Sequence, residues 1–143
     1  MQAKTKQLQN LKPRPKPKRL TAVEKEKAMQ LVKVAANMYG IPSPDLLFAP
    51  GRKHRYRRAA AVACWSIRTG YGFGAAQLAP LFQRSRSQVY HLTKVGRDTL
   101  RLYEHDRRRA LMFFGRLAFS EATDRLKIKL KRYEREARTS AGE

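Results

Sequence analysis

Ten lysine and arginine residues stand between Asp45 and Asp98, and no aspartate or glutamate lies among them. Cations without carboxylates can neither hold a divalent metal nor do paired acid–base work, so nuclease or other enzymatic chemistry is not expected there. What such a stretch does is project an unneutralised positive field toward a polyanion. Two segments concentrate it. One is the dense run Arg52-Lys53-His54-Arg55-Tyr56-Arg57-Arg58, which reads as a basic loop; the other is Arg84-Ser85-Arg86-Ser87-Gln88, followed by Tyr90, His91 and Lys94.

The second segment has the group types that read base edges from the first turns of a helix in a major groove. Arg86 can fork onto a guanine, and Ser87 and Gln88 can pair with bases or phosphates. Tyr90 suits a thymine methyl group, and Lys94 a phosphate. Two residues carry alternatives: Gln88 can instead cap its own helix, and His91 can be a solvated surface side chain. The 52–58 loop also has two readings, a clamp on phosphates or an arginine inserted into a narrow minor groove. Arg57 and Arg58 precede an apolar helix, where cations oppose the helix dipole. Their placement there argues for an anionic partner nearby.

Such groups need a rigid frame. The chain has 143 residues, enough for one ordinary domain with tails, and 42% hydrophobic residues, enough for a modest core. Its net charge of +21, from 32 basic and 11 acidic residues, opposes compaction unless a polyanion relieves it. Cys64 is the single cysteine and only His54, His91 and His105 accompany it, so no internal disulfide, metal or cofactor is expected. No apolar run approaches the ~18 residues of a membrane span, and no hydrophobic signal core opens the chain. The expected location is cytoplasmic and nucleoid-associated, or the host cytoplasm for a phage-encoded chain.

Three regions follow. Residues 1–20 hold seven basic residues, no acidic ones, and prolines at 13, 15 and 17, so they read as a disordered basic arm, either a solubilising tail or a supplement to phosphate or minor-groove contacts. Residues 21–119 read as the helical domain. Thr21-Ala22-Val23-Glu24 is a capping box, and Ala28, Leu31, Val32, Val34, Ala35, Met38 and Tyr39 form one face of the helix behind it, with Gly40 as its stop. Ser43-Pro44-Asp45 opens a short second turn. Ala59–Ile67 is a central buried helix containing Trp65 and ended by Gly70. Gly70-Tyr71-Gly72-Phe73-Gly74 lacks the strand and the Lys-Ser/Thr of a phosphate-cradling loop, so it reads as a turn.

A short helix over 75–82, kinked or curtailed at Pro80, then leads through Gln83-Arg84 into the Ser85–Gln88 capping box. That pair makes a helix-turn-helix over about 75–97, with Val89, Leu92 and Gly96 inward and Ser87, Tyr90, His91, Lys94 and Asp98 outward. Leu100, Tyr103, Leu111, Phe114, Leu117 and Ala118 can cover the core after a break near His105-Asp106. Residues 120–143 read as a charged C-terminal helix or tail capped by Ser120. It is the expected surface for a homo-oligomer or a protein partner, if one exists. The fold class is therefore all-α, a compact helical bundle containing a helix-turn-helix.

From about Ala28 to Phe119 the chain resembles the DNA-binding C-terminal domain of the bacterial replication initiator DnaA. The resemblance rests on an ordered set: Tyr39-x-Ile41, Asp45-Leu46-Leu47, the Arg-rich loop, an Ala-rich helix, a short helix ending in Phe82, then Arg84, Ser87, Val89 and His91. It implies minor-groove contact among Arg52, Lys53, Arg55 and Arg57 and base reading by Arg84 to Gln88. Gln83, Ser85, Arg86 and Gln88 replace the family's Gly, Asp, His and second hydroxyl residue, and no ATPase module is present. The chain thus looks like a stand-alone relative of the DNA-binding part.

The expected function is sequence-specific binding of double-stranded DNA, in transcriptional control or at a replication origin, with no small-molecule substrate and no membrane. A packaging adaptor similar to a phage terminase small subunit, and a ribosomal or other RNA-binding protein, are the alternatives.

Overall fold

In the computed structural model the described residues are 19–48, 54–117 and 121–141. The expected arm before Arg19, the loop cations Arg52 and Lys53, and the expected Ser120 cap lie outside them. Among the described residues the chain is all helix, with no strand. Six α-helices succeed one another: α1 (Ala22–Met38), α2 (His54–Tyr71), α3 (Ala75–Phe82), α4 (Arg86–Leu102), α5 (Glu104–Gly115) and α6 (Glu121–Ala141), with a 3₁₀ turn at Pro44–Leu47. No described helix is long and apolar enough to cross a membrane.

The ends of α1 follow from local chemistry. Thr21 Oγ1 accepts from the Glu24 amide at 3.1 Å, and the Thr21 amide donates to Glu24 Oε1 at 2.9 Å. At the other end Gly40 takes φ +64°, the Ile41 amide donates to Ala36 O and the Gly40 amide to Asn37 O. That double bond is a Schellman closure, and it brings Ile41 into the core beneath the helix.

α2 is the central element. Every residue from Ala59 to Ile67 is buried, so it is apolar on all sides and packs against α1, α4 and α6 at once. Two glycines set how closely its neighbours approach. A Cβ on Gly96 of α4 would overlap the Ala61 carbonyl and stand 2.9 Å from Trp65 Cβ, so the two helices cross backbone to backbone. A Cβ on Gly70 would come within 3.2 Å of Ala122 Cβ at the start of α6. Gly70 is thus a packing residue inside α2 and not its stop. The helix continues to Tyr71 and ends where Gly72 turns to φ +74°.

Other boundaries differ from the sequence reading for similar reasons. The basic run is helical, not a loop, from His54 onward. Cations in a first turn cost a few tenths of a kcal/mol each, whereas the burial that follows them is worth several. The break before α5 falls at Tyr103, and Tyr103 is exposed, not part of the core. α3 runs through Pro80 and stops two residues later; Pro80 is exposed, and without an N–H it cannot donate to the Ala76 carbonyl. Leu126-Lys127-Ile128-Lys129-Leu130, which alternates like a strand, is helical, and Leu126, Leu130 and Tyr133 join the same core as α2.

Cys64 is fully buried, and that burial pushes its thiol up to about 12, against the opposing pull of Arg84 and Arg68. Thiol reagents at pH 8 are therefore expected to label only unfolded chain. Labelling as fast in native buffer as in denaturant would contradict this placement.

Candidate nucleic-acid interface

The α3–α4 connection is closed by two interlocking devices. Gln83 adopts the left-handed conformation, φ 53° and ψ 44°. Its amide donates to Pro80 O at 3.3 Å and the Arg84 amide to Ala79 O at 3.1 Å, a second Schellman closure. Ser85 then caps α4: its hydroxyl accepts from the Gln88 amide at 3.2 Å, and its own amide donates to Gln88 Oε1 at 2.8 Å. The amide oxygen of Gln88 is thereby held in the cap, while its NH₂ group offers donors to a ligand. Gln83 is a non-glycine residue where glycine is cheaper. Gln83→Gly is expected to stabilise the free protein by about 1 kcal/mol, read as a rise in Tm. An unchanged or lower Tm would mean that the turn is not held in this conformation.

From this turn the first coils of α4 present Arg86, Ser87, Tyr90, His91 and Lys94 to solvent, while Val89 is fully buried and Leu92 half-buried beneath them. The first carboxylate on this helix is Asp98, and Arg97 Nε holds it at 3.3 Å. The expected residues do not all share one flank. Arg84, Gln88 and His91 line an open groove of about 740 Å³ together with His54, Arg57 and Arg58 of α2. Tyr90 turns to the other flank, where Arg68 lies 4.9 Å over its ring. Arg84 is half-buried, and its Nη1 is shielded from water with no acceptor among the described residues. An anion at the groove mouth would offset that cost.

The helices α2 and α4 run antiparallel. Arg68, near the end of α2, meets Tyr90 near the start of α4, and Arg58, near the start of α2, lies 5.2 Å over Tyr103 just past the end of α4. The cations at the start of α2, His54 to Arg58, and Arg86 are thus a helix length apart, roughly 25 Å at ~1.5 Å per residue. Arg55, the other α2 cation expected at the site, is exposed and lies 5.5 Å over the Tyr56 ring.

Arg58 has a structural attachment as well. Its Nη1 lies 3.7 Å from Asp106 Oδ2, and the other oxygen of this buried carboxylate accepts from the Tyr39 hydroxyl at 2.8 Å. Burial first, then the hydrogen bond and charge of Asp106, hold Tyr39 well above the usual phenol range. The pair anchors the start of α2 to α1 and α5. Arg107 was equally illegible in the sequence. It is almost fully buried, and its Nη1 donates to Leu100 O and Arg101 O at 3.3 and 3.0 Å, capping the C-terminus of α4 from α5. Arg125 does the same for α2 through Gly70 O at 2.9 Å. Arg68, Asp106 and Arg107 carry no sequence signal of these roles, since each partner lies on a different helix.

Comparison with known proteins returned no matching family model, curated protein or solved structure.

Proposed function

We propose that this chain binds double-stranded DNA and reads sequence through a helix-turn-helix formed by α3 and α4. The observation that carries the reading is the start of α4. It is locked by a Schellman turn and a capping box, and its exposed side bears Arg86, Ser87, Tyr90, His91 and Lys94 with no carboxylate before Asp98. Donors and acceptors on a rigid first turn suit base edges in a major groove. The cations at the start of α2, roughly 25 Å away along the α4 axis, suit the phosphate strand or the minor groove beyond it. This division of labour agrees with the resemblance to the DNA-binding domain of DnaA. A regulator of transcription or a replication-origin binding factor is the role it suggests.

The deciding experiment offers the full-length chain random DNA duplexes and matched RNA duplexes at physiological salt. A-form RNA hides its major groove in a deep, narrow cleft, so DNA is expected to win, and selected DNA is expected to converge on one motif. Equal or better binding to RNA duplex would overturn the assignment in favour of an RNA-binding protein.

A further inference from the structure

We propose that the groove between α2 and α4 docks an acidic, amphipathic segment of a partner protein, and that its occupancy excludes DNA from α4. The groove follows α4 from Gln88 to Leu102, roughly 21 Å at ~1.5 Å per residue, the length of four helical turns. Its chemistry changes along that path. Arg84 and His91 stand at one end, and His54, Arg57 and Arg58 at the other. Leu92 and Val95 lie between them, and Leu102 and Tyr103 lie beside the second group. Three of these are apolar side chains left open to water: Val95 is 37% exposed, Tyr103 52% and Leu102 69%. Cations at both ends of an apolar floor complement a segment with apolar anchors in its middle and carboxylates on either side.

Charge and apolar content together select the occupant. Asp98 is the single carboxylate on the lining, and Arg97 already holds it. The chain's own first 18 residues have six basic and no acidic residues, so they have the wrong sign for this groove. A second copy, itself at +21, is repelled for the same reason. A DNA backbone would satisfy the cations but would leave Val95 and Leu102 no partner. A protein segment satisfies both. Because His91 belongs both to the groove and to the face assigned to DNA, and Arg84 and Gln88 flank that face, the two ligands exclude each other. The competition rests on the DNA-binding reading; the docking does not.

The test pans the immobilised full-length chain against a displayed library of random peptides about four helical turns long. Recovered peptides are expected to carry aliphatic or aromatic anchors flanked at both ends by Asp or Glu. They should bind the Val95→Ser/Leu102→Ser variant roughly tenfold or more weakly, as expected for two lost apolar contacts, while the variant keeps its affinity for duplex DNA. Circular dichroism checks its fold, and Leu102→Ser alone, at a largely exposed position, serves if the double variant is unstable. Recovery of no such peptides, or equal binding to the variant, overturns the docking site. A parallel loss of DNA affinity in the variant overturns it too, because the groove would then hold the duplex. Peptide that binds as described while the chain ignores DNA would leave the docking intact and remove the DNA-binding reading.

Discussion

Arg86→Ala is expected to weaken binding to the preferred duplex by about 1–3 kcal/mol, the worth of one bidentate base contact, while barely changing affinity for random DNA. Arg86 is exposed in the first turn of α4, directly after the Ser85 cap. On a preferred site its fork meets two acceptors of one base; on random DNA it contributes one of many interchangeable charges. Arg55→Ala supplies the contrast. Arg55 is exposed near the start of α2, where a cation serves phosphates. Its loss should weaken all duplexes alike and flatten the slope of log affinity against log salt by roughly 0.9. Equal losses on specific and random DNA for Arg86→Ala would show that α4 does not read sequence. Titrations by fluorescence anisotropy at three salt concentrations separate the two patterns.

Gly96→Ala should be the most damaging glycine-to-alanine change among the described residues. The added Cβ meets the Ala61 carbonyl and the Trp65 Cβ, both on α2, and backbone cannot swing aside as a flexible side chain can. Alanine returns about 1 kcal/mol of helix propensity, yet a net loss of about 2–3 kcal/mol is expected, a fall of roughly 10 °C in Tm. Gly115→Ala is the control: it has only the end of the Lys127 side chain near, at 3.9 Å. That substitution should be neutral or slightly stabilising. If Gly96→Ala melts with the wild type, α4 does not cross α2 as closely as described, and the geometry of the groove falls with it.

The features legible in the sequence are those whose partners lie three or four residues apart. Thr21 with Glu24 and Ser85 with Gln88 are complete capping boxes within a single turn, so residue types at the right spacing suffice to specify them. The buried faces of α1 and the early part of α4 follow from period alone. The carboxylate-free window, and hence the sign of the expected partner, is a matter of counting.

Tertiary structure decided whatever depends on which helix lies opposite. Gly70 and Gly72 are equivalent stops by local rules; the start of α6 packs on Gly70, and that contact keeps it inside α2. The cations at the start of α2 form a dense run that reads as loop, yet Arg58 finds Asp106, and the core beneath Ala59 outweighs the dipole penalty. Arg107 counts as one more surface charge until α5 folds back and aims it at the carbonyls of Leu100 and Arg101. Even the groove exists only because α2 and α4 pack antiparallel, bringing His54 and Arg57 beside Leu102. Local hydrogen bonds and helical period are properties of neighbours along the chain. A carboxylate, a carbonyl or a methyl supplied from another helix is a property of the packed core, and no spacing in the sequence announces it.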